Sequence, residues 1–196
     1  ASLATILTYY FDFPATEDEM YRALMAQALR EKRPNAREVG FNLRHIRNVA
    51  LRGGLSAAAF RVAAEDLERV RIPAIARVQI HGYNHFVVFK QAIAGRVYVA
   101  DPAFGNTSYR LSAFKRMWSG VLMGFVRRGS QLPLTHDLMV REGDNRVIDP
   151  EDLARFALAA PHTAVAPPSG PTFSRLTTFR FFSPAVTGLE SVFPAF

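Results

Sequence analysis

The chain has 196 residues, 49% of them apolar, no cysteine, and a formal net charge of +7 from 24 Lys and Arg against 17 Asp and Glu. That length and apolar share suffice for one domain with a core of its own, and the missing cysteines exclude disulfides and thiolate metal sites. The basic residues, almost all Arg, are scattered through stretches such as "RGGLSAAAFR", "RVRIP" and "FVRRG", which argues against a nucleic-acid surface and leaves an anionic partner surface as the lesser reading.

"ASLATILTYY" opens the chain with Leu3, Ile6, Leu7 and Tyr10 at the three-and-four spacing of a buried helical face. It reads as the body of a helix whose start lies before Ala1. "FDFPATEDEM" then supplies a proline break and a new helix start. Thr16 and Glu19 stand at capping-box spacing, so a second helix is expected to about Arg30. A third is expected to carry Leu43, Ile46, Val49 and Ala50 on one face and to end at Gly53-Gly54. "LSAAAFRV" suits a short strand and "AAEDLERV" a short helix with carboxylates near its start.

From Ile72 the pattern changes to β-branched and aromatic runs separated by turn-formers: "IPAIARVQI", "HFVVFKQAI", "RVYVADPA" and "VLMGFVRR". These predict an antiparallel meander, with "SAFKRMWSG" as a helical connection before the last run. Helices first and strands second make the class α+β. The division expected is a domain over 1–128, helical to 70 and β from 71 to 128. An extension over 129–160 follows, with a helix started by Asp149 and Pro150, and then a Pro- and Phe-rich tail over 161–196. The tail contains "PPSGP" and reads either as packing back on the core or as an interaction peptide.

No apolar run reaches the roughly 18 residues of a membrane span, and no charged-then-apolar leader is seen, so any secretion signal is expected to have been removed or never to have existed. His81 and His85 have a metal-ligand spacing, but Gly82 opposes a helix and no third ligand presents itself, so no metal or other cofactor is expected. "GLSAA" does not fit a nucleophile elbow, no Gly-rich phosphate loop occurs, and Ser2 reads as a first-turn helix residue. The remaining candidates are His85 at the start of one strand and Asp101 at the end of the next. They can face each other across an antiparallel pair as imidazole and orienting carboxylate. The bland alternative is a structural histidine beside an ordinary "DP" turn.

Taken together, "ASLATILTYYF", the run from "GFNLRHIRNV" to "IPAIARV", "NHFVVF", "VYVADPAFG" and "FKRMWSG" resemble the bacteriocin-processing, or double-glycine, cysteine peptidases. The likeness spans about Ala1 to Arg128. It implies a papain-like fold, a helical half packed on an antiparallel sheet, with His85 as general base and Asp101 as its orienting partner. It also implies a nucleophilic cysteine three positions before Ala1 and an oxyanion-hole glutamine slightly earlier, so residues 1–196 alone are expected to be inactive. Helix N-termini favour thiolate, which suits that place. The free-standing members of the family, including those beside functional-amyloid export, imply a periplasmic peptidase acting on an extended peptide or exported protein, with a secretion-system partner as a further candidate. The alternatives are a cytoplasmic location, and a non-catalytic module of the same fold that holds a secretion substrate or partner.

Overall fold

A computed structural model describes residues 1–33, 35–36, 40–80, 83–127 and 129–145. His81, the expected helix start at Asp149 and Pro150, and the tail lie outside the described residues. The first three helices form where the spacing places them: α1 is Ser2–Tyr10, α2 is Glu17–Arg30 and α3 is Leu43–Arg52. Leu3, Ile6, Leu7 and Tyr10 are all buried. The α2 capping box is made in both directions: the Glu19 N–H donates to Thr16 Oγ1 at 3.2 Å, and the Thr16 N–H donates to Glu19 Oε2 at 2.8 Å. In α3 a histidine takes the glutamate's place. The His45 N–H donates to Asn42 Oδ1 at 3.0 Å while the Asn42 N–H donates to His45 Nδ1 at 3.2 Å, satisfying two of the helix's open N–H groups with one side-chain pair.

Among the described residues, six antiparallel strands form one sheet: β1 Leu55–Arg61, β2 Ala74–Ile80, β3 Tyr83–Ile93, β4 Arg96–Asp101, β5 Gly105–Arg110 and β6 Trp118–Arg127. Their order is β1-β6-β2-β3-β4-β5. The expected meander holds only from β2 to β5, because β6 returns to lie between β1 and β2. Strand β1, although within the first 70 residues, is therefore an edge of the sheet, paired with β6 from Leu55 opposite Arg127 to Arg61 opposite Val121. β5 was not expected: "GNTSYR" has no β-branched run, and it forms because β4 offers it a full ladder from Asp101 opposite Gly105 to Arg96 opposite Arg110. The "AAEDLERV" stretch is a 3-10 helix, Ala64–Arg69, and α4, Leu111–Met117, is the connection into β6.

The sheet has a core on each face. On one, α1, α2 and α3 pack Leu3, Ile6, Leu24 and Val49 against Ile75, Val88, Ala100 and Met123. On the other, Leu67 of the 3-10 helix and Phe114 of α4 cover Val78, Val87, Phe89, Val97, Val99 and Leu122. Alternation along each strand sends successive side chains to the two cores. Beyond β6, Leu138 is buried in the helix-side core, so the segment after β6 returns across α1.

Candidate active site

His85 stands near the start of β3 and Asp101 at the end of β4. A bulge in β3 puts them on one face. The ladder pairs Ile93 with Arg96, Ala92 with Val97 and Gln91 with Tyr98, then slips by one residue to pair Phe89 with Val99 and Val88 with Ala100. Lys90 is the extra residue. Val87, Phe89 and Ala92 consequently share one core although the last breaks the two-residue period. Continued one step, the slipped register sets Asp101 opposite Val87, with His85 as its diagonal neighbour on the same face. Without the bulge the pairing would turn His85 to the opposite face, since a one-residue shift inverts every side chain.

The two side chains meet: His85 Nε2 lies 2.9 Å from Asp101 Oδ1. Asp101 is fully buried at its side chain, whereas the imidazole is 30% exposed. The Ala103 N–H also donates to Asp101 Oδ1, at 2.8 Å, so the turn begun by "DP" clamps the carboxylate. A carboxylate accepts only, so Nε2 is the nitrogen that carries the proton. This leaves Nδ1, with no hydrogen bond among the described residues, as the basic lone pair. The structure thus brings both sequence candidates into hydrogen-bond contact.

The start of α1 is held beside this pair. Ser2, 6% exposed, donates from Oγ to the Phe86 carbonyl at 2.7 Å, tying the first turn of the helix to the residue after His85. Pro102, the residue after Asp101, borders an open pocket of about 220 Å³ with Ala1, Ala4, Thr5 and Thr8 of the helix. The Thr5 N–H donates to the Ala1 carbonyl at 3.0 Å, so Ala1 already belongs to the helical ladder.

Residues 1–130 match the peptidase C39 family. The chain belongs to that family. Two relatives are each named "probable functional amyloid protease FapD": that of Pseudomonas aeruginosa is 34% identical over 129 residues, and that of Pseudomonas fluorescens 28% over the same length. Each alignment covers 66% of this chain and 56% of the relative, so the chain spans little more than half the length of these proteins. The peptidase domain of Streptococcus ComA, a bifunctional ABC transporter of a quorum-sensing pathway, is 15% identical and covers 64% of this chain and 88% of its own, with a TM-score of 0.53. That likeness is one of fold: the C39 peptidase domain is papain-like, and the α+β class expected from the sequence is the one found.

Three further buried polar side chains, which the sequence did not single out, are Tyr109, Lys90 and Asp144. Tyr109 of β5 is buried, and among the described residues neither its hydroxyl nor Asp101 Oδ2 has a hydrogen-bond partner. Burial first and the Asp101 charge second push this phenol well above its ordinary value of 10.0, so it stays protonated. Lys90 and Asp144 form an ion pair at 2.6 Å with side chains 1% and 6% exposed. The signal for Lys90 was visible as the single charge within "HFVVFKQAI"; Tyr109 had none. Among the described residues no group of acidic or histidine side chains could hold a metal ion, and no helix is long and apolar enough to cross a membrane.

Proposed function

We propose that this C39 domain is the peptidase of a longer thiol enzyme. In this reading the nucleophilic cysteine stands three positions before Ala1, at the start of the helix that α1 continues. The observation that carries it is the His85 Nε2–Asp101 Oδ1 contact at 2.9 Å, which commits one ring nitrogen to the carboxylate and frees the other for a thiol. Ser2 on the Phe86 carbonyl sets the helix start beside that imidazole.

The chemistry follows from these positions. His85 Nδ1 takes the thiol proton, and the imidazolium formed is stabilised by buried Asp101. The thiolate attacks the scissile carbonyl of an extended peptide, and the oxyanion is met by N–H groups at the helix start together with a glutamine upstream. Collapse of the tetrahedral species breaks the C–N bond, with the proton passing from Nδ1 to the leaving amine. Water, deprotonated by His85, then hydrolyses the thioester and regenerates the thiol. Residues 1–196 contain no cysteine and by themselves cleave nothing.

The substrate in this reading is an exported or amyloid-forming protein cut after a small residue, in the periplasm, beside a secretion system. The names of the Pseudomonas relatives support the amyloid part. The deciding experiment joins the native upstream coding sequence to this domain and measures cleavage of an exported peptide. A cysteine at the third position before Ala1, with thiol-dependent cleavage lost in His85→Ala, is the expected result. Cleavage that survives His85→Ala removes His85 as the base. Another residue at the cysteine position turns the domain into a binding module.

A further inference from the structure

The segment after β6 lies beyond the part that matches the family, which ends at residue 130, yet it reaches the bulge on which the site depends. The Asp137 N–H donates to the Tyr9 carbonyl at 3.0 Å, the His136 ring packs on Tyr10 with centroids 4.7 Å apart, and Leu138 enters the helix-side core. A 3-10 helix, Glu142–Asn145, follows. Its Asp144 Oδ2 accepts from Lys90 Nζ at 2.6 Å and from the Arg141 N–H at 2.9 Å.

Lys90 is the residue that β3 inserts against β4. Its ammonium lies against Asp144 of the returning segment and is sealed from solvent. A buried ammonium without a partner is costly, whereas one paired to a carboxylate with a second hydrogen bond is tolerated. Burial alone would raise the Asp144 carboxyl; the Lys90 ammonium and the Arg141 N–H outweigh it and hold Asp144 below its ordinary value, so the pair is ionic. Burial first and the Lys90 charge second push the nearby His136 below its ordinary value, with Asp137 opposing.

We propose that Lys90 and Asp144 are positioning residues for the His85–Asp101 pair: their ion pair pins the β3 bulge to the segment after β6 and so fixes the register that brings the two catalytic side chains to one face. This rests on the peptidase reading for its significance, but its test needs no cleavage. The whole chain, labelled with ¹⁵N-histidine, gives a His85 Nε2–H resonance, downfield and protected while the proton is held by Asp101. Asp101→Ala, which removes the acceptor altogether, serves as the reference for a broken pair. Asp144→Ala and Lys90→Met should each lose the protected resonance while keeping cooperative thermal unfolding and near-UV circular dichroism. Asp144→Asn, which keeps an acceptor for Lys90 and for the Arg141 N–H and is the variant expected to fold in any case, should retain it at reduced protection.

Two results overturn the proposal, and they differ. If Asp101→Ala abolishes the resonance but folded Asp144 and Lys90 variants keep it unchanged, the ion pair is structural only and the catalytic pair stands. If Asp101→Ala leaves the resonance as it was, the His85–Asp101 contact itself is absent, and the peptidase reading falls with the clamp.

Discussion

Ser2 Oγ donates to the carbonyl oxygen of Phe86 at 2.7 Å, across a sequence separation that joins the first turn of α1 to the strand carrying His85. Ser2→Ala leaves that carbonyl without its donor in a buried setting. The expected cost is about 1–2 kcal/mol of stability, read as a lower urea midpoint at unchanged m-value. In the longer enzyme the same change should lower kcat more than it raises KM, because it loosens the helix start against the base.

Asp101→Asn keeps the shape of the side chain and removes its charge. With an amide in place of the carboxylate the imidazole loses its fixed tautomer and the stabilisation of its charged form. Thiol-dependent cleavage by the longer protein should fall roughly 10³–10⁴-fold in kcat, with KM little changed. A steady-state comparison with substrate varied across KM checks both parts.

Leu138 is buried at 4% exposure in the helix-side core although it follows the family-matched region. Leu138→Ala should destabilise the domain by about 2–4 kcal/mol through lost burial and the cavity left behind. Chemical denaturation measures it. A chain ended at residue 130 should be weaker still, since it also strips Asp144 from Lys90.

Two groups on the helical side predict acid sensitivity. Gln27 first, then Asn48 and Arg44, donate to Glu31 and hold its carboxyl down to about 2 from an ordinary 4.5. A depressed carboxyl contributes stability that is complete above the unfolded value and is lost as pH falls from about 4.5 toward 2. His45 is pushed below its ordinary 6.5 mainly by burial, with Glu31 opposing and Arg33 and Arg44 assisting. It stays neutral when folded, whereas the unfolded chain takes up a proton, so stability also declines as pH drops below 6.5. Melting temperature against pH should therefore fall in two stages, and Glu31→Gln should flatten the lower one.

The helices and most strands could be read from the sequence because their signals are local: the Thr16/Glu19 box, the apolar spacing of α1 and α3, and the β-branched runs of β2 to β4. Strand β5 could not, since its pairing is imposed by β4 and not by its own composition. The place of β6 between β1 and β2 was hidden for the same reason, being a contact between distant segments. At the site, His85 and Asp101 were legible from strand ends and from the family likeness. The bulge that turns them toward each other was marked only by a lysine inside an apolar run, and Asp144 by nothing nearby.

The position of β6 also governs when the domain comes into being during synthesis. Until Trp118–Arg127 has been made, β1 has no neighbour and the β2 edge stands open, two unpaired ladders of the kind that recruit foreign strands. The hairpin bearing His85 can form early, but its attachment to β1 waits for β6. The joining of β1 to the rest of the sheet is thus late, and the nascent chain is most open to misassociation in the interval before β6 is in place.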